Sequence, residues 1–163
     1  MNQDQRGTAA AASLLLDDQL CFALYAAQRA VTGAYRPLLD EIGLTYPQYL
    51  AMLVLWERGE VAVKELGAAL KLDYGTVSPL LKRLEAAGLV RRERSATDER
   101  SVRLLLTDAG GALRERAEQV PARLLLSTGL QASEIARLRA DLHRLAERAA
   151  EAGTSTAPDT SER

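Results

Sequence analysis

Two residues near the start of the chain carry the sharpest chemistry. Cys21 is the only cysteine among 163 residues, and it sits in the run DDQLCFALYAAQRA with Tyr25 four positions later. On a helix, residues i and i+4 share a face, so the thiol and the phenol can meet. A phenol that donates to sulfur favours thiolate over thiol, and thiolate is the form that attacks a peroxide oxygen. Asp17 and Asp18 lie one turn earlier; they oppose an anion by repulsion and can also cap the helix. A lone cysteine on an apolar helix is more often a small buried hydrophobe, and residue 21 alone does not decide between the two.

The elements that must position this pair follow from pattern. Hydrophobic residues make up 47% and aromatics 4%, so the core is built from Leu, Ala and Val in one ordinary domain. Leu16, Leu20, Leu24, Ala27 and Val31 form the stripe of a first helix expected over 14–33, with Pro37 bending or restarting the chain. Thr45 reads as an N-cap with Pro47 in the next first turn. The helix that follows, TYPQYLAMLVLWER, is apolar nearly all round, which predicts a central buried helix with Trp56 in the core. Val61–Val63 reads as a short strand, Lys64–Leu70 as a short helix, and Asp73–Ala87 as a third helix ended by Gly88. Pro79 predicts a local kink in it. LVRRER and SVRLLLT read as two strands joined by SATDER, with Val102, Leu104 and Leu106 alternating inward. Thr107 or Asp108 then caps a helix passing Pro121. Ile135, Leu138, Leu142, Leu145 and Ala149 form a heptad seam on the last helix. That seam suits pairing with another helix, inside one subunit or across two. Residues 1–13 and 152–163 are small and polar and are expected to be disordered tails.

This order is a winged helix-turn-helix, mainly α with a small β-hairpin wing. The helix at 73–87 must present an apolar inner face, met by Val77, Leu80, Leu81 and Leu84. Its outer, leading face carries Gly75, Thr76, Ser78, Pro79, Lys82 and Arg83. Small residues allow close approach to a DNA major groove, hydroxyls bond to bases or phosphates, and cations neutralise phosphates. Arg92, Arg94 and Arg100 belong to or flank the wing loop, and arginine suits the negative minor groove. From Lys82 to Arg103, seven basic and four acidic residues leave +3 in a chain whose formal charge is −1. A charged hairpin without a ligand is the plainer reading of that cluster alone; the full element order favours double-stranded DNA.

"LKRLEAAGLVRRERSATDERSVRLLLTDAG" resembles the MarR family of bacterial transcription regulators: Asp98, Arg100 two positions on, and an apolar strand ending Leu106-Thr107 match its wing signature. The likeness spans about residues 14–150. It implies a homodimer on a pseudopalindromic operator, with 14–45 and 112–151 as dimerisation helices and 46–111 as the winged helix-turn-helix. "LCFALYAAQRAVTGAYRPLLDEIGLTYPQYLAMLVLWE" is similar to the organic-hydroperoxide-sensing, OhrR-like branch. That resemblance implies that Cys21 senses peroxide and that Tyr25, Tyr35 and Tyr46 support it, Tyr35 and Tyr46 coming from the partner subunit. Some members of the branch carry a second, resolving cysteine. This chain has none, which implies a one-cysteine sensor. Its oxidised sulfur stops at sulfenic acid, over-oxidises, or is capped by a low-molecular-weight thiol.

His143, the only histidine, lies off the seam with no ligand cluster at metal spacing, so neither metal nor cofactor is expected. No nucleotide loop or nucleophile motif points to an enzyme. No apolar run reaches the roughly 20 residues of a membrane span, and the N-terminus lacks a signal-peptide pattern. With one cysteine, a reducing cytoplasm is expected. Three rivals remain: a MarR-type repressor released by a small aromatic ligand, a thiol peroxidase using Cys21, and an architectural DNA-binding protein with no inducer.

Overall fold

The computed structural model describes residues 13–94 and 102–155. The tails at 1–12 and 156–163, and the wing loop with Asp98 and Arg100, lie outside the described residues. The chain divides into two compact units, the first ending at Leu124 and the second starting at Leu125.

In the first unit a short 3-10 turn, Leu16–Asp18, leads into α1 (Leu20–Asp40), followed by α2 (Tyr46–Arg58), β1 (Glu60–Ala62), α3 (Val63–Leu70), α4 (Tyr74–Ala86), β2 (Val90–Arg94), β3 (Val102–Leu106) and α5 (Asp108–Ala117). Next come α6 (Gln119–Thr128), which crosses into the second unit, and α7 (Ala132–Ser155) within it. The fold is mainly helical with a small antiparallel sheet.

The first helix is later and longer than the stripe predicts. It starts at Leu20 and runs through Pro37 without restarting. An interior proline costs about 3 kcal/mol. Pro37 is followed at once by Leu38 and Leu39, 9% and 1% exposed, and burying two leucines contributes a comparable amount, about 1.5–3 kcal/mol each. Packing of the last turn therefore outweighs the local rule. Pro121 acts the other way. Instead of one helix passing it, α5 ends at Ala117 and α6 restarts at Gln119, which moves Pro121 into a first turn where its missing N–H has no intrahelical partner to lose. At the far end, α7 continues through residues 152–155, which composition alone assigns to a tail.

The core sits where α2, α3 and α4 meet the sheet. Met52, Leu55, Leu66, Leu81, Leu84 and Leu104 have no measurable exposure. The sheet has three strands rather than a lone hairpin. Its order is β1-β3-β2, with Val61 opposite Leu104 and Arg92 opposite Leu104 on the other side. Of the three wing positions expected to point inward, Leu104 is fully buried, Leu106 is half-buried and Val102 is 36% exposed.

Candidate redox site and nucleic-acid interface

Asp73 caps α4, its carboxylate accepting from the Thr76 amide at 2.8 Å and from the Thr76 hydroxyl at 3.2 Å. These bonds hold the Asp73 carboxyl below the usual range. The helix then runs unbroken through Pro79, with Val77, Leu80, Leu81 and Leu84 buried as expected. Gly75, Thr76, Pro79, Lys82 and Arg83 all lie exposed on the opposite side, and Ser78 is half-buried. Thr76 is thus committed to the cap, while Lys82 and Arg83 are open cations.

In the wing, Arg94 is exposed at the end of β2, but Arg92 folds back onto α4, its Nε 2.8 Å from Glu85 Oε2. That ion pair makes Arg92 a brace between the wing and α4. Charge pattern alone does not separate the brace from an open cation, because the separation depends on where Glu85 lands.

A second brace was not visible as a site in the sequence. Thr107 caps α5 by accepting from the Gly110 amide at 3.0 Å, and its hydroxyl donates to the Gly88 carbonyl at 2.6 Å. Gly110 lies so close to the root of β2 that a Cβ there would stand 2.0 Å from the Leu89 carbonyl oxygen. The Gly110 carbonyl in turn accepts from Trp56 Nε1 at 2.8 Å. The glycine pair in TDAGG was the available signal.

Trp56 ends a line of aromatic rings. Tyr35 and Tyr46 have centroids 5.2 Å apart, Tyr35 and Tyr49 5.8 Å, and Tyr49 and Trp56 6.5 Å. Burial, helped by the neighbouring Tyr46, raises the Tyr35 pKa, and burial pushes Tyr49 up to about 12. Both therefore stay protonated and able to donate near neutral pH.

Cys21 is exposed in the first turn of α1, so it is not buried filling. Tyr25 follows one turn on, 55% exposed. Arg29 Nη1 donates to the Tyr25 hydroxyl at 3.2 Å, and its guanidinium carbon lies 5.6 Å from the ring centroid. With Arg29 filling an acceptor position, the hydrogen of Tyr25 stays available for a further acceptor. Tyr35, by contrast, is 14 residues from Cys21 along one straight helix, a rise of about 21 Å. The fold thus groups Tyr35 with Tyr46, leaves Cys21 one helical turn from Tyr25, whose phenol is hydrogen-bonded to Arg29, and does not bring Tyr35 or Tyr46 to Cys21 in one chain.

Between them, Gln28, Arg29, Thr32, Arg36 and Tyr46 help line an open cleft of about 620 Å³. Apolar side chains also lie bare in the segments that precede and follow the winged helix-turn-helix in sequence. Leu16, Leu20, Leu24 and Val31 are 60%, 58%, 37% and 41% exposed, and on α7 Leu138 and Leu142 are 51% and 41% exposed. His143 is exposed. Among the described residues no helix is long and apolar enough to cross a membrane.

The family model for the transcriptional regulator SarA/Rot matches residues 34–116. An organic hydroperoxide resistance transcriptional regulator from Bacillus subtilis is 46% identical over 132 residues, covering 81% of this chain and 90% of that protein. Among solved structures, reduced AbfR bound to DNA (AbfR being a Staphylococcus epidermidis protein) aligns at TM-score 0.68 and 32% identity, covering 91% of this chain and 98% of that one. The PcaV transcriptional regulator of Streptomyces coelicolor, in complex with its natural ligand, aligns at TM-score 0.74 and 26% identity, covering 85% and 99%.

Proposed function

The chain belongs to the SarA/MarR-type family of winged-helix transcription regulators, and from that premise we propose that it is a dimeric repressor that leaves its operator when an organic hydroperoxide oxidises Cys21. The observation that carries the redox half is the placement of residues along α1. Fourteen residues turn a helix to within about 40° of four full turns, so Cys21 and Tyr35 share a face although they lie far apart along it. Leu24 and Val31 lie close to the same strip and are partly bare. An antiparallel second copy crossing near Gln28 covers that strip and sets each Cys21 beside the other chain's Tyr35, with Tyr46 next to it. Each sulfur then faces Tyr25 of its own chain and two protonated phenols of the partner. The exposed stripe on α7 supplies a further apolar surface for the same assembly. A symmetric dimer also presents two α4 helices about one DNA turn apart, as a pseudopalindrome requires.

The chemistry balances simply. The Cys21 thiolate attacks one peroxide oxygen; an S–O bond forms as the O–O bond breaks. Two electrons pass from sulfur to the peroxide, and the alkoxide leaves and takes a proton as the alcohol. Cys21 becomes a sulfenic acid, which a low-molecular-weight thiol can convert to a mixed disulfide with loss of water. Added bulk and polarity in a packed helix–helix seam shifts the spacing of the two reader helices. Only about 1.4 kcal/mol of differential affinity is needed for a tenfold loss of operator binding. In this reading Lys82, Arg83, Arg94 and Arg100 neutralise phosphate, Asp98 belongs with them to the DNA-binding set that the family resemblance implies, and the leading face of α4 enters the major groove.

The chain acts as a stoichiometric sensor rather than as a peroxidase. The test is a gel shift with cumene hydroperoxide and parallel intact mass. The parent is expected to gain one oxygen or one capping thiol per subunit and release DNA; Cys21→Ser is expected to bind equally well and stay bound. Release of Cys21→Ser at the parent's peroxide concentration refutes the redox trigger.

The cleft beside Arg29 and Arg36 supports one second reading, a small aromatic acid as inducer. Release by such a ligand, unaffected by Cys21→Ser, separates the two.

A further inference from the structure

We infer that Tyr74 reads a base edge in the major groove and sets part of the operator sequence this chain selects. The inference rests on the DNA-reading function proposed above. Tyr74 is the first residue of α4 and is 72% exposed, the barest aromatic among the described residues. No described residue forms a hydrogen bond with its phenol, so folding gives no reason for a large amphipathic ring at this position. The other polar groups of the leading turns are already committed. Thr76 gives both its amide and its hydroxyl hydrogen to Asp73. Gly75 has no side chain, and a Cβ there would stand 3.1 Å from Asp73 Oδ1, so the cap itself favours a bare backbone. Ser78 is half-buried and Pro79 has no donor. Lys82 and Arg83 lie two turns further on, and their charge suits phosphate.

Tyr74 is therefore the side chain of the leading turn that combines a directional, neutral hydrogen-bonding group with an apolar face. A phenol can donate to purine N7, guanine O6 or thymine O4 while its ring covers a thymine methyl. Because it is uncharged, its loss leaves counterion release unchanged. This separates a base contact from a phosphate contact made by a cation.

The experiment selects bound duplexes from a random-sequence pool about two helical turns long, using the full chain with no substitution, Tyr74→Ser, Tyr74→Phe and Lys82→Ala. The selected duplexes and a scrambled duplex are then titrated across a salt series. Tyr74→Ser is expected to lose the preference at one position in each half-site. It is also expected to bind the parent's consensus about tenfold more weakly, with scrambled-duplex binding and salt slope unchanged. Tyr74→Phe is expected to lose part of that preference, keeping the methyl contact. Lys82→Ala is expected to weaken all sequences alike and lower the salt slope by about one. An unchanged consensus for Tyr74→Ser, or equal weakening on all duplexes, overturns the assignment while leaving the DNA-reading function intact. A parent chain that selects no sequence overturns both.

Discussion

Leu81, Leu84 and Leu104 have no measurable exposure, while Leu16, Leu20 and Leu138 each keep more than half of theirs. The first group belongs to the reader, where α2, α3, α4 and the three strands close a core within one chain. The second belongs to the segments before and after it in sequence, whose apolar stripes lie open. The reader is braced throughout: Asp73 caps α4, Thr107 ties α5 to the root of the wing, Glu85 holds Arg92, and Gly110 seats against Leu89. The first two turns of α1 offer Cys21 and Tyr25 to solvent instead. A module that must fit DNA needs a fixed shape, and a sensor needs a surface that chemistry can reach and that a second copy can complete. The contrast is between a region that covers its own apolar side chains and one that leaves them open.

The sharpest way to break that contrast is to charge the open stripes. Leu20→Glu with Leu24→Glu is expected to leave the circular dichroism of the reader intact, convert the protein to a monomer in sedimentation, and weaken operator binding by about 10²-fold or more, the avidity of a second linked head. A dimer that survives both charges refutes the proposed α1 seam.

The converse perturbation strikes the reader alone. Gly110→Ala drives a methyl into the Leu89 carbonyl and is expected to cost about 2–3 kcal/mol in urea unfolding, with oligomeric state at native conditions unchanged. A loss below about 0.5 kcal/mol would mean that the α5–β2 contact is looser than its geometry.

The smallest effect sharpens the comparison by pH. Tyr49 is 2% exposed, and its pKa is pushed from 10.0 up to about 12 in the folded chain. The unfolded state therefore ionises first. The stability from keeping Tyr49 neutral is complete below pH 10 and is lost as pH rises toward 12. By pH 12 the loss is on the order of 1–2 kcal/mol. Tyr49→Phe is expected to flatten that alkaline limb in thermal melts, and an unaltered limb would place the phenol in contact with water.

Much of the reader was legible because its signals are local. Val77, Leu80, Leu81 and Leu84 repeat at helical spacing, Thr107 reads as a cap, and Gly88 reads as a stop; each describes neighbours in sequence. The candidate site was legible only in part. That Cys21 and Tyr25 share a helix face follows from i, i+4 spacing, but the exposure of Cys21 and the Arg29 guanidinium on that phenol do not. By residue type Arg92 reads as an open cation, whereas the fold pairs it with Glu85. Nothing in the sequence singles out Tyr74: charge and cap chemistry point to Thr76 and Lys82 on the same helix, and exposure is not encoded in residue type.

What the amino-acid order determined by itself is the list of elements and the apolar side of each, since periodicity, caps and turns act over a few residues. Only the tertiary structure decided what covers those sides. The pairing of β1 with β3, the seat of Gly110 on Leu89 and the survival of α1 past Pro37 all depend on atoms distant in sequence, whose packing energy exceeds local preference. The same reason explains the open leucines: a stripe announces that apolar area must be hidden, and its spacing does not say whether the cover comes from the same chain or another.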